Sequence, residues 1–294
     1  MRDFVAVVNP AAGGSAGVAR LVPLARLLRE AGARVEVEYS RGLEHAREVA
    51  RRAGAQGRVV LGVGGDGMAG CVGGALAGTS AVFGVVPAGR GNDFARQVGL
   101  PTEAAELART LLHGPVKAVD AIEVESARHR RVAVLGSVYA GVDAVANLHA
   151  NRTKIFRGAA SYYVGALRAI GTWRTAAYQI TVDGRVLERE GYTVVAANSG
   201  FYGFGRRIAP SAEVDDGLLD VVVLRRTSRA LFFTIMNELK DGSHVRRPEV
   251  EVVRGREVRI AADRALPYGA DGEVDGALPV TARVLPGALR LIVP

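Results

Sequence analysis

The hydrophobic pattern of the chain changes character near Lys117. Before that point, short apolar runs of strand length alternate with segments of helical period. Phe4 to Val8 is continuously apolar and stops at the breaker pair Asn9-Pro10. After the loop Ala11-Ala12-Gly13-Gly14-Ser15, a helix is expected from about Gly17 to Glu30. Arg34 to Tyr39 alternates as a strand does, Leu43 to Arg52 has helical spacing, and Arg58 to Val63 and Ala81 to Val86 read as buried strands. Strand and helix in alternation predict an open parallel sheet.

Beyond Lys117 the runs are strand-like: Ala118 to Val124, Arg131 to Val138, Ala177 to Val182, Tyr192 to Asn198, Leu218 to Leu224, Val250 to Val253 and Glu257 to Ile260. Several show period-two alternation, with hairpin signals such as Asp183-Gly184 between them. Many short strands with few helices predict a β-sandwich. The expected organisation is an α/β domain over residues 1–117 and an all-β sandwich over 118–280, packed closely because no Ser/Pro-rich linker separates them. One stretch departs from this pattern. Lys154 to Arg174 sets Ile155, Phe156, Tyr162, Tyr163, Leu167, Ile170 and Trp173 among Lys154, Arg157, Arg168 and Arg174. It reads as an amphipathic basic helix, either covering the sandwich or touching a membrane surface or acyl chain.

Composition narrows the picture. The chain has 294 residues, 49% of them hydrophobic, which is enough for two modest domains. Cys71 is the single cysteine and is expected to be a small core residue; an internal disulfide is excluded. No signal-like N-terminal segment and no apolar run of about 18 residues occurs, so a soluble protein or one peripheral to a membrane is expected. The net charge of +8 favours an anionic partner. Nearly all of that charge is arginine, with Lys117, Lys154 and Lys240 the only lysines, and it is spread along the whole chain. Without zinc-type Cys/His spacing or an RNP-like aromatic run, nucleic acid is not expected as the partner.

The candidate chemistry begins at Leu61-Gly62-Val63-Gly64-Gly65-Asp66-Gly67-Met68. A strand runs into a glycine turn and then a helix, which lets a phosphate approach the backbone and meet the free N–H groups of the helix. Gly62, Gly64 and Gly67 fit GxGxxG, but the next strand ends in Pro87 without a ribose-binding acid, and no Walker A lysine occurs. Asp66 would repel a bare phosphate and suits one bridged by Mg²⁺ or its water shell. A third glycine turn, Pro87-Ala88-Gly89-Arg90-Gly91-Asn92-Asp93-Phe94, follows the next strand. All three loops fall on the carboxyl edge of the sheet, where ligands bind. Asn92 and Asp93 could also cap the helix that follows.

Two later stretches carry acids. Pro210 to Asp220 holds Glu213, Asp215, Asp216 and Asp220 beside Gly217, as a hard-cation turn would or as a solvated acidic turn would. Tyr268-Gly269-Ala270-Asp271-Gly272-Glu273 places two carboxylates on a tight turn, which on sequence alone could be an ordinary hairpin.

Taken together, Asn9-Pro10 with its loop, Gly64-Gly65-Asp66-Gly67, the loop Pro87 to Phe94, Pro210 with Asp216-Gly217-Leu218, and Asp271-Gly272-Glu273 resemble the bacterial diacylglycerol kinase and sphingosine kinase superfamily of lipid kinases. The GGDG loop is shared with NAD kinases and phosphofructokinases; the PxGxxNDF loop and the DGE turn are more selective. The resemblance implies a phosphofructokinase-like or NAD kinase-like α/β domain joined to a sandwich, with the active site in the cleft and residues 281–294 returning to the first domain. It implies ATP contacts at Asn9, Pro10, Ala11, Ala12, Gly13, Ser40, Gly64, Gly65, Asp66, Gly67, Met68, Ala69, Gly70, Arg90 and Asn92. It implies a Mg²⁺ turn formed by Asp216 with the carbonyls of Glu213 and Leu218, and a proton acceptor at Glu273. Two positions depart from the family pattern, Met68 and Arg90, where threonines are usual. Arg90 could clamp a phosphate as a charged donor or mark altered nucleotide handling.

The resulting expectation is transfer of the ATP γ-phosphoryl group to a lipid hydroxyl, most readily that of diacylglycerol. Glu273 would take the proton and Asp66 would organise Mg²⁺. The enzyme would be cytoplasmic and transiently peripheral to the inner face of the membrane. A soluble NAD kinase and a non-catalytic lipid or nucleotide sensor are the rival readings. The oligomeric state, a homodimer included, stays open.

Overall fold

The computed structural model describes residues 2–9, 16–127, 131–152 and 174–294, with side chains throughout except at 16, 149–152 and 273–275. The loop 10–15 and most of Lys154 to Arg174 lie outside the described residues.

The first part alternates strand and helix: β1 (Asp3–Val8), α1 (Ala16–Glu30), β2 (Arg34–Tyr39), α2 (Leu43–Ala55), β3 (Val59–Gly64), α3 (Asp66–Leu76), β4 (Val82–Pro87), α4 (Asp93–Gln97) and α5 (Ala104–His113). The four strands pair in parallel in the order β4-β3-β1-β2. Strands covered on both faces must be apolar at every position, and β1 and β3 are buried almost throughout.

The second part contains β5 (Val116–Ser126), β6 (Val132–Val134), β7 (Ser137–Gly141), α6 (Val142–Arg152), β8 (Ala176–Val182), β9 (Arg185–Ala197), β10 (Phe201–Tyr202), β11 (Arg206–Arg207), β12 (Leu219–Arg225), α7 (Arg229–Glu238), β13 (Val250–Gly255), β14 (Glu257–Ala262), β15 (Pro267–Ala270), β16 (Glu273–Ala277) and β17 (Val280–Ile292). Its strands pair antiparallel. Period-two alternation feeds two separate cores. In β12, Leu219, Val221 and Val223 face one core, while Val222 and Leu224 face the other with Phe232 and Ile235 of α7. Asp183 (φ 47°) and Gly184 (φ 83°) close the β8–β9 hairpin, the positive φ at both positions matching the right-handed strand twist.

β17 connects the two parts. Its first residues pair antiparallel with β14, its length pairs with β5 across a break between Leu285 and Leu289, and Arg290 and Leu291 pair in parallel with Val82 and Phe83 of β4. None of the described helices is long and apolar enough to cross a membrane.

Candidate active site

The glycine loops after β3 and β4 pack backbone against backbone. A Cβ on Gly89 would overlap the Cα of Gly65, and Ala88 N–H donates to the carbonyl of Gly64 at 2.8 Å. Asn92 sits at φ 54° and clasps Gly89 from both sides, its Oδ1 accepting from Gly89 N–H at 2.8 Å and its Nδ2 donating to Gly89 O at 3.0 Å. Its side chain therefore shapes the loop and does not cap α4. Arg90, at the loop tip, is exposed and makes no hydrogen bond or ion pair with the described residues.

Asp66 opens α3 and its Oδ1 accepts from Phe94 N–H at 3.0 Å, joining the two loops. Burial pushes its carboxyl up, and backbone N–H groups led by Phe94 partly offset this. Met68 is 4% exposed and lies against Gly64, so the side chain standing where threonine is usual belongs to the core beneath the loop. Ala69 is also buried, and Cys71 is a core residue whose Sγ donates to Leu43 O. Ser40 is buried at the end of β2, its N–H donating to Val8 O at 2.8 Å, beside Asn9 on the same sheet edge. Pro10, Ala11, Ala12 and Gly13 lie outside the described residues.

The opposite wall comes from the second part. Asp271 (φ 45°) and Gly272 (φ 85°) form the tight turn between β15 and β16. The Asp271 carboxylate accepts from three successive N–H groups, Leu135 at 2.8 Å, Gly136 at 2.7 Å and Ser137 at 3.2 Å. It also presses on the backbone of Gly70, where a Cβ would overlap Oδ2. Burial raises its pKa to about 6 despite those donors, with the Asp66 charge adding to the rise. Glu273 is the next residue after the turn, opposite Ala270 in the β15–β16 pairing. Its carboxylate is outside the described side chains.

Between the walls lies a cavity of about 320 Å³, lined by Asp66 and Arg90 from the first part and by Asp271, Tyr139, Asp143 and Phe204 from the second. Asp143 accepts from Thr193 Oγ1 at 3.0 Å, and burial lifts its pKa to about 6. Asp93 reaches across the cleft to accept from Phe204 N–H at 3.1 Å and Gly205 N–H at 2.6 Å. Burial and then the neighbouring Asp66 charge raise it to about 6. Gln97 makes a second bridge, accepting from Gly200 N–H and donating to Ala212 O, both at 3.0 Å.

The acidic turn lies apart from this cavity. Asp216 Oδ1 accepts from Leu218 N–H at 3.0 Å, its Oδ2 pairs with Arg254, and Glu213 is exposed. Asp120, buried in β5, accepts from Gly217 N–H and Gly287 N–H, each at 2.7 Å, and so ties the turn to β17. Motif reading passed over Asp120, Asp143 and Arg254, and gave Asp93 only as a helix cap. Asp120 carried a signal: an acid inside the apolar run Val119 to Ile122 needs buried donors.

Residues 3–124 match the family described as the diacylglycerol kinase catalytic domain, and residues 136–293 match the YegS C-terminal NAD kinase beta sandwich-like domain. A diacylglycerol kinase of Mycobacterium tuberculosis strain H37Rv is 31% identical over 294 residues, covering 98% of this chain and 94% of its own. A protein of Chromohalobacter salexigens named "Probable lipid kinase YegS-like" is also 31% identical, over 91% of this chain and 86% of its own. The crystal structure of a diacylglycerol kinase from Bacillus anthracis strain Sterne superposes with a TM-score of 0.74 at 23% identity, covering 100% of this chain and 97% of that one, a likeness of fold. With both halves matched and the cleft assembled from both, the chain is a kinase-class enzyme and belongs to the bacterial diacylglycerol kinase and lipid kinase superfamily.

Proposed function

We propose that the protein transfers the γ-phosphoryl group of ATP to a lipid hydroxyl, and that the lipid is diacylglycerol, giving phosphatidic acid. The observation that carries this reading is one cavity lined by Asp66 and Arg90 of the glycine loops, by the Asp271-Gly272 turn and by the aromatic rings of Tyr139, Phe201 and Phe204. The same cavity thus offers charged and backbone groups suited to a triphosphate and aromatic surface suited to a lipid.

The residues fit a nucleotide. Arg90 lines the same cavity as Gly65, Asp66 and Gly67, is exposed, and offers a phosphate a guanidinium that no described residue engages. Phosphoryl transfer depends mainly on positioning and charge neutralisation, which such loops supply. A divalent ion, Mg²⁺ in this proposal, would neutralise triphosphate charge when bound with the nucleotide. Asp66 is the acid of the loop placed to hold it. Glu273, next to the Asp271-Gly272 turn, would accept the proton of the attacking hydroxyl. Asp271 would act as a positioning residue, fixing that turn against α3. Contact with a bilayer is assigned to the basic amphipathic stretch Lys154 to Arg174, at the cytoplasmic face of the membrane.

The relatives' names support this reading and differ in one respect: those of Mycobacterium and Bacillus carry diacylglycerol, whereas the YegS-like proteins carry only a lipid. The test is transfer from γ-labelled ATP with Mg²⁺ to mixed micelles containing diacylglycerol, ceramide, sphingosine or phosphatidylglycerol, alongside NAD in plain buffer. Labelled phosphatidic acid is expected. Label in another lipid would correct the substrate, and label in NADP alone would overturn the lipid reading.

A further inference from the structure

The acidic turn between β11 and β12 does not fit a resident divalent cation. We propose that the guanidinium of Arg254 is the cation of this turn and stands where the family pattern implies Mg²⁺.

Sheet register places it there. In the β12–β13 pairing Arg254 lies directly opposite Asp220, so the two side chains are cross-strand neighbours. Arg254 Nε donates to Asp220 Oδ2 at 3.1 Å, and its Nη2 reaches past the strand end to Asp216 Oδ2. The second oxygen of each acid is also engaged. Asp216 Oδ1 accepts from Leu218 N–H at 3.0 Å, and Asp220 Oδ1 accepts from Ser211 Oγ at 2.6 Å. Asp120, the buried acid beneath the turn, is taken up by Gly217 and Gly287, while Glu213 and Asp215 are exposed to solvent.

A Mg²⁺ ion needs near-octahedral oxygen ligands at about 2.0–2.1 Å. On Asp216 Oδ2 it would meet the guanidinium head-on, and two cations cannot share that oxygen without strong repulsion. Arginine suits the position because its charge is permanent and its planar fork spans two carboxylates. The turn's geometry is then set by the protein's own ion pairs and hydrogen bonds and is indifferent to free Mg²⁺.

The test is independent of the lipid-kinase reading, because it is read from folding and not from phosphotransfer. Full-length, nucleotide-free protein is melted in MgCl₂ and in EDTA, as wild type, R254A, R254K, D216N and R254A/D216N. The wild-type difference between MgCl₂ and EDTA is expected to survive D216N unchanged, since any Mg²⁺ effect arises elsewhere. R254A is expected to melt roughly 5–10 °C lower, because it leaves two acids without their counter-charge. Part of that loss should return with MgCl₂ in R254A and not in R254A/D216N. If R254A does not fold, R254K, which keeps the charge without the fork, should melt between it and wild type. A Mg²⁺ stabilisation of the wild type that D216N abolishes, or an R254A protein that melts like wild type in EDTA, would overturn the proposal.

Discussion

The Asp93 carboxylate, on the loop after β4, accepts from the backbone N–H of Gly205 at 2.6 Å, across the cleft in the other half of the chain. Its pKa stands at about 6 because it is buried and because the Asp66 charge is close by. Removing that charge with Asp66→Asn should lower the Asp93 pKa below about 6 while leaving it above the usual 3.8, since burial remains. A ¹³C carboxyl NMR titration reads this directly, and an unchanged Asp93 would show that the two acids do not sense one another.

Asp93, Asp143 and Asp271 share a raised pKa of about 6. A carboxyl that binds its proton more tightly folded than unfolded favours the fold at low pH. Its contribution is complete below the unfolded value near 3.8 and is lost as pH rises through about 6. Over that window each of the three should lower stability with rising pH by at most about 1.4 kcal/mol per unit. Urea unfolding at pH 5 and pH 7 should give a smaller downward change for Asp143→Asn than for wild type.

Gly70 and Gly17 should respond differently to alanine. A methyl on Gly70 would collide with the Asp271 carboxylate, whereas on Gly17 it would only touch Val8 Cγ1 at 3.7 Å. Gly70→Ala is expected to cost about 1–3 kcal/mol and to reduce activity by shifting the Asp271-Gly272 turn. Gly17→Ala, in the first turn of α1, should be neutral or gain up to about 0.5 kcal/mol, less than a mid-helix replacement. Denaturant midpoints compare the two.

If Arg90 clamps a phosphate, Arg90→Ala should raise KM for ATP about 10–100-fold, the size of one charge-assisted hydrogen bond. Arg90→Thr, restoring the usual residue, should recover part of that loss. Steady-state kinetics in ATP at saturating lipid would show it, and an unaltered KM would free Arg90 of the role.

Glu273→Gln should lower kcat by roughly 10²–10⁴ with the melting temperature retained, as expected for removal of a general base. Near-normal turnover in a folded variant would take Glu273 out of the mechanism.

In the parallel half, β1, β3 and β4 were legible because strands covered on both faces must be apolar, whereas the edge strand β2 was read from its alternation to its limits, Arg34–Tyr39. Arg131 to Val138, read as one strand, is two, Val132–Val134 and Ser137–Gly141. Asp271 draws the N–H groups of residues 135–137 out of the ladder, and nothing local in the sequence announces that. β9 begins at Arg185, before the expected Tyr192, because its first half is a polar hairpin arm whose exposed Arg185, Glu188 and Glu190 hide the strand pattern. In the site, the glycine loops and the DGE turn were visible as motifs. The Arg254 contacts were not, since they follow from the register of β12 on β13, which sets Arg254 opposite Asp220, 34 residues earlier.

β17 sets how the molecule can move and come apart. One strand of 13 residues, its β5 pairing interrupted between Leu285 and Leu289, pairs at one end with β14 and at the other with β4 of the parallel sheet, and with β5 on both sides of the interruption. A hinge that swung the halves apart would have to break that ladder. Opening of the cleft therefore falls to loops and side chains, and unfolding of either half should carry the other with it. A calorimetric scan would then record a single transition, and removing the last strand would cost both halves at once.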